Sequence, residues 1–272
     1  MDDEGIDVAP LKEIQKFMWS LGDYSKIARI SEAAAEALAQ ACGLGPGVEV
    51  LDVAAGNGNF AVVAARLGAR VVASDITPGM IEMGRERCEA EGLEVEWREA
   101  DAEDLPFEDD RFDCCASMFG SMFAPRPDVV TSEMFRVTRP GGSVAMTNWT
   151  PDGFIGKMLA GALSYAPPPP EGIPSPLAWG DPATVRDRLA ASAESIGIER
   201  GMVHLDFDSV EEGQAFAEQN LGPMVALRTI LPPDRFEALS GETMRLAAAF
   251  NQDQGGRLVI DSEYLEVVAH KA

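Results

Sequence analysis

Leu51-Asp52-Val53-Ala54-Ala55-Gly56-Asn57-Gly58-Asn59-Phe60 decides the reading of this chain. Val48 to Val53 is apolar and β-branched enough for a strand, and Phe60 to Leu67 has the make-up of a helix. Between them lies a short loop with two glycines. Neither Gly56 nor Gly58 has a Cβ, so backbone N–H groups there can come close to a ligand. Arg70 to Ser74 reads as a second strand, and Asp75 closes it. A carboxylate at that strand tip can accept hydrogen bonds from both hydroxyls of a ribose. A glycine loop followed by a strand-end acid therefore points to a nucleoside ligand.

The pattern continues outward from this unit. Thr77-Pro78 supplies an N-cap and a first-turn proline for a helix that Gly92 stops. Glu94 to Arg98 is a third strand, Phe112 to Met118 a fourth, Asp128 to Val137 a helix, and Ser143 to Trp149 a fifth strand after the break at Pro140-Gly141-Gly142. Alternation of this kind predicts an α/β fold with a parallel sheet and a ligand site at the carboxyl ends of the strands.

Gly56-x-Gly58-x-x-Ala61 also fits a dinucleotide fingerprint, which is weak by itself. Asp52 and the Ala54-Ala55 spacer argue against it, because an acid sits badly beside a pyrophosphate. Beside a sulfonium or an ammonium it sits well; a pair of unit charges ~4 Å apart is worth about 4 kcal/mol at an intermediate dielectric.

At this point the sequence resembles the class I S-adenosylmethionine-dependent methyltransferases, most clearly over residues 48–149. Leu51-Asp52-x-Ala54-x-Gly56-x-Gly58 is similar to the first motif of that family, with alanine at 54 where glycine is usual. Asp75-Ile76-Thr77-Pro78-Gly79-Met80 resembles the segment that holds ribose and adenine, and Asp101-Ala102 the pair at the adenine amino edge. Phe112-Asp113 and Arg139-Pro140-Gly141-Gly142 are further marks. Within the family the chain resembles the ubiquinone/menaquinone-biosynthesis-like small-molecule enzymes. Met118-Phe119-Gly120 is similar to their loop over the cofactor, and Trp19-x-x-Gly22-Asp23-Tyr24 to an N-terminal helix that covers the methionine end.

The resemblance implies a doubly wound, mostly parallel seven-stranded Rossmann-like sheet with its last strand antiparallel. It implies S-adenosylmethionine as cofactor, contacted by Tyr24, Asp52, Ala54, Gly56, Gly58, Asp75, Ile76, Met80, Asp101, Ala102, Met118 and Phe119. The carbonyl of residue 54 faces the methionine ammonium in such enzymes, and an alanine supplies it if its φ is negative. The expected activity is in-line methyl transfer to a small molecule. The alternatives are a nicotinamide-dependent oxidoreductase and a non-catalytic S-adenosylmethionine-binding protein.

A single unit is expected: residues 1–43 an N-terminal helical lid, 44–150 the cofactor core, 151–272 a cap over the acceptor. In the lid, residues 11–43 read as helical, with a glycine interruption at 22. Residues 150–180, rich in proline, predict an extended cover. Asp181-Pro182 starts a helix that Gly197 ends, and Gly201 to Phe207 is a strand. Helices follow over 209–220 and 235–250, and a last strand over 258–269. Trp19, Trp149, Tyr165 and Trp179 are candidate walls for the acceptor.

The 45 acidic against 22 basic side chains give a net charge of −23, which disfavours a nucleic-acid substrate and anionic membrane surfaces. Four cysteines, of which Cys114 and Cys115 are adjacent and Cys42 and Cys88 scattered, and two histidines, His204 and His270, form no metal motif. The acidic Met1-Asp2-Asp3-Glu4 is unlike a signal peptide, and no apolar run is long enough to span a membrane, so a cytoplasmic protein is expected. No residue stands out as a general base, and the sequence leaves the catalytic residues and the oligomeric state open.

Overall fold

A computed structural model describes residues 6–272; the acidic start Met1–Glu4 lies outside the described residues. Seven strands form one sheet: β1 Glu49–Val53, β2 Arg70–Asp75, β3 Val95–Glu99, β4 Phe112–Met118, β5 Thr138–Trp149, β6 Ala193–Phe207 and β7 Leu258–Lys271. Their order is β3-β2-β1-β4-β5-β7-β6. β7 runs antiparallel to both of its neighbours, and the other pairings are parallel. This is the expected Rossmann-like sheet with its last strand reversed.

The helices are α1 Ala9–Trp19, α2 Tyr24–Ala41, α3 Asn59–Arg66, α4 Pro78–Glu91, α5 Pro127–Val137, α6 Phe154–Tyr165, α7 Pro182–Leu189, α8 Val210–Asn220, α9 Gly222–Ile230 and α10 Pro233–Phe250. Alternate residues of the central strands feed two cores, as the period of a strand requires. Val50, Cys114 and Ala116 pack with α2, α3 and α4, while Leu51, Val53 and Cys115 share a core with α5 and α7. Both faces of the sheet are covered, which is why these strands read as continuous apolar runs.

Three expectations need correction. The helix begun by Asp181 ends at Leu189, and Gly197 sits inside β6 rather than stopping a helix. The segment 150–180 is not extended throughout, because Phe154–Tyr165 forms α6. Its irregular, proline-rich part is largely exposed. The N-terminal helical stretch is two helices. Gly22, at φ +88°, turns the chain, and a Cβ there would lie 2.3 Å from the Asn220 carbonyl oxygen. Asp23 then caps α2 by accepting from the Ser25 N–H at 3.2 Å.

Candidate functional site

The tips of β1, β2 and β4, with the turn after β3, face a cavity of about 270 Å³. β1 delivers the loop in which Ala54, Gly56 and Gly58 all adopt positive φ, at 52°, 56° and 81°. Ala54 thus takes a left-handed conformation rather than the negative φ expected of an alanine. Nothing lies within 4 Å of a Cβ built on Gly56, so its backbone is open to the cavity. Gly58 is different. A Cβ there would lie 2.8 Å from the Trp97 ring, and the residue does not line the cavity. Its glycine serves packing against β3, not approach to a ligand.

Asp75 sits at the tip of β2. One oxygen accepts from the Gly56 N–H and the other from the Thr77 N–H, both at 2.8 Å. Burial pushes this carboxyl up, and the two N–H groups oppose that shift. Each carboxylate oxygen can accept two hydrogen bonds, so the clasp fixes the group and leaves acceptor capacity toward the cavity it lines.

Asp52 departs from its expected place. Its carboxyl is enclosed beneath the loop, accepts from the Ala61 N–H at 3.0 Å, and does not line the cavity. Strand alternation aims it at the start of α3, so it fastens the loop to that helix from below.

The turn after β3 carries Asp101. Its Oδ1 accepts from the Glu103 N–H at 2.9 Å, and its Oδ2 meets the Lys12 ammonium at 2.5 Å. The same ammonium lies 2.5 Å from Glu103, whose side chain is wholly buried and also bound by Arg126. Gln15 donates to the Phe123 carbonyl at 2.7 Å, and the Trp19 ring meets that of Phe123 edge-on at 4.8 Å. Lys12, Gln15 and Trp19 thus hold α1 over the cavity. Tyr24, which starts α2, accepts from the Gly222 N–H at 3.0 Å. Burial pushes its phenol above the ordinary range, so it stays protonated with its O–H available to donate.

Phe119 also adopts a positive φ, of 56°. Its ring stacks on Trp149 with centroids 3.9 Å apart and planes 4° from parallel, and Tyr264 meets it edge-on at 5.5 Å. Phe119 and Trp149 line the cavity, as do Ile76, Met80, Ala102 and Met118. Tyr165 and Trp179 do not. Tyr165 packs on the α9–α10 side beneath Arg235, and Trp179 is core, 1% exposed, with Arg188 over its ring. Their place on that wall is taken by Ile155, Met158 and Leu159 of α6.

The histidines lie elsewhere. His204 is exposed and pairs with Asp261 at 2.8 Å, and His270 contacts Ser143 at 3.3 Å. Among the described residues, no three His, Cys, Asp or Glu side chains cluster as metal ligands, and no helix is long and apolar enough to cross a membrane.

The chain is similar to known proteins over most of its length. A methyltransferase domain matches residues 50–142. An uncharacterized protein of Mycobacterium tuberculosis is 35% identical over 265 residues, covering 96% of this chain and 95% of that protein. A demethylmenaquinone methyltransferase of Clavibacter sepedonicus is 40% identical over 104 residues, 38% of this chain and 42% of that enzyme. Among solved structures, a putative methyltransferase of Bacillus halodurans superposes with a TM-score of 0.60 at 21% identity, covering 88% of this chain and 99% of that one. The domain match falls on the strands and loops that build the cavity: residues 50–142 are a methyltransferase domain, and the chain resembles the class I S-adenosylmethionine-dependent methyltransferases of the menaquinone type.

Proposed function

We propose that this chain binds S-adenosylmethionine between its strand tips and α1 and transfers the methyl group to a small molecule. The observation that carries the reading is the Asp75 carboxylate, locked by two backbone N–H groups and facing the cavity with acceptor capacity to spare. Asp75 would take the ribose hydroxyls and Asp101 the adenine amino group, with Ile76, Met80 and Ala102 around the base. The open backbone at Gly56, the Ala54 carbonyl and the Tyr24 hydroxyl would meet the methionine end. When bound, the cofactor supplies an electrophilic methyl group on a positively charged sulfur.

The rest of the chemistry falls to the chain's own walls. Beyond Trp149 the cavity is bounded by Ile155, Met158, Leu159 and Met224, with no titratable side chain among them. There the protein aligns the acceptor and keeps out water. Alignment of this kind is worth about 7–11 kcal/mol of a barrier, and a dry wall favours a reaction in which charge is dispersed. Residues 1–43 serve as the lid, 44–150 hold the cofactor, and 151–272 cover the acceptor. The free thiols at Cys42, Cys88, Cys114 and Cys115 fit a reducing cytoplasm.

Calorimetry with S-adenosylhomocysteine and with NADH tests this reading. Binding of the first in the micromolar range and none of the second is expected. Binding of NADH alone would reject the proposal in favour of an oxidoreductase.

A further inference from the structure

Adjoining the cavity at Trp149 is a second chamber of about 100 Å³. Trp149, Ile155, Met158 and Leu221 line both, so the two share a wall. Val203, Leu205 and Phe207 of β6 form one side of the chamber, with the intervening His204 and Asp206 more exposed on the other face of the strand. Ala217 of α8 and Ala247 of α10 form another side.

Its chemistry is one-sided. Apart from the indole N–H of Trp149, the polar side chains among its lining residues are Ser31, Gln214 and Thr243, and each of these three already makes a hydrogen bond. Ser31 accepts from Asn59 at 2.9 Å, Gln214 donates to Glu218 at 2.8 Å, and Thr243 donates to the Leu239 carbonyl at 3.0 Å. Among the described residues, Lys12 is the sole cation lining either cavity, and it is committed to Asp101 and Glu103. A phosphate or carboxylate placed in the chamber would lose its hydration and find no cation to pair with. The net charge of −23 adds to that penalty. The two carboxylates of the cavity, Asp75 and Asp101, lie at its other end, on the tip of β2 and after β3, so a cation is not matched here either. Apolar surface, by contrast, gains from burial in such a space.

We infer that the methyl acceptor is an uncharged, lipophilic molecule whose apolar part, of the size of a ring or a short branched alkyl group, occupies this chamber while its reacting atom stays in the cavity on the near side of Trp149. This rests on the methyltransferase reading above and narrows its substrate class.

The test uses N-phenyl-1-naphthylamine, an uncharged fluorophore that joins a phenyl to a naphthyl group, and its sulfonated relative 1-anilinonaphthalene-8-sulfonate, both titrated in the presence of saturating S-adenosylhomocysteine. The chamber is filled from two separate helices, by Ala247→Phe and by Ala217→Leu; neither residue lines the cofactor cavity. Saturable binding of the uncharged probe is expected, falling at least tenfold in a filled variant whose S-adenosylhomocysteine affinity, by calorimetry, stays within twofold. The sulfonate is expected to bind the unaltered protein at least tenfold more weakly. Undiminished probe binding in a filled variant that still binds S-adenosylhomocysteine would overturn the inference. So would equal affinity for the sulfonate, which needs no variant. If the unaltered protein fails to bind S-adenosylhomocysteine, the cofactor reading itself falls, and the substrate class with it.

Discussion

The Ala61 N–H donates to Asp52 Oδ2 at 3.0 Å, and the other oxygen of that enclosed carboxyl has no hydrogen-bond partner. Burial pushes Asp52 up to about 8, with the nearby Asp75 adding to the shift. In the unfolded chain the group ionises near pH 4. The folded protein therefore holds a proton that the unfolded chain has lost between pH 4 and pH 8. Its contribution to stability is full below pH 4, declines as pH rises toward 8, and is flat above. Asp52→Asn is expected to flatten that decline, which has a ceiling of about 5 kcal/mol. Urea unfolding at pH 5 and pH 8 measures it. The same pH difference in variant and parent would show that Asp52 is not its source.

Gly84 lies within α4 with the Trp97 ring against it. A Cβ there would come 2.0 Å from the indole. In an open helix the change to alanine would stabilise by about 0.5–1 kcal/mol. Here overpacking, at about 1–3 kcal/mol, outweighs that gain. Gly84→Ala is expected to destabilise, and adding Trp97→Phe to recover part of the loss. Thermal melts of both singles and the double would show the coupling, and strictly additive effects would refute it.

Ala54 is a non-glycine residue at positive φ. A left-handed alanine costs about 1–2 kcal/mol, against about 0.5–1 kcal/mol for the extra freedom of glycine in the unfolded chain. Ala54→Gly is thus expected to raise stability by about 0.5–1 kcal/mol. A lowered urea midpoint would contradict the strain argument.

Lys12 joins α1 to Asp101 and the buried Glu103. Hydrogen bonds between charged groups contribute about 1.5–3 kcal/mol when well sheltered. Lys12→Met keeps the apolar stem and removes the ammonium. We expect faster proteolysis of α1 and a several-fold faster release of S-adenosylhomocysteine, read by stopped-flow. Unchanged rates would mean that α1 is held by Trp19 and Gln15 alone.

Asp75→Ala removes the acceptor at the β2 tip and leaves the Gly56 and Thr77 N–H groups without their carboxylate. The expected loss of S-adenosylhomocysteine affinity is about 1–3 kcal/mol. Calorimetry giving the parental affinity would remove Asp75 from the binding site.

What could be read from the sequence was governed by local rules. The strand into Asp52, the first-turn proline at Pro78 and the stop at Gly92 each follow from one or two residues, and each stands where expected. The glycines show the boundary. Gly56 is open to the cavity, whereas Gly58 exists because of Trp97, 39 positions further on, and no local pattern reveals that. Lys12 meets a partner 89 residues away, so on α1 it looks like any solvated lysine. Gly197 has the local look of a helix stop, but its pairing with Val268 of β7 fixes it as strand from outside. The aromatic candidates divided on the same ground: Trp149 ends a strand at the ligand edge, while Trp179 is a large ring absorbed by the core beside α7.

The reversed strand β7 lies between β5 and β6, so it alone joins residues 193–207 to the rest of the sheet. During synthesis, both neighbours emerge with unsatisfied backbone edges and wait more than fifty residues for the segment that seals them. Until it arrives, the growing polypeptide displays two long, sticky flanks of the kind that template aggregation. Early termination or clipping before Leu258 should consequently yield insoluble material, even though every residue of the glycine loop is already present.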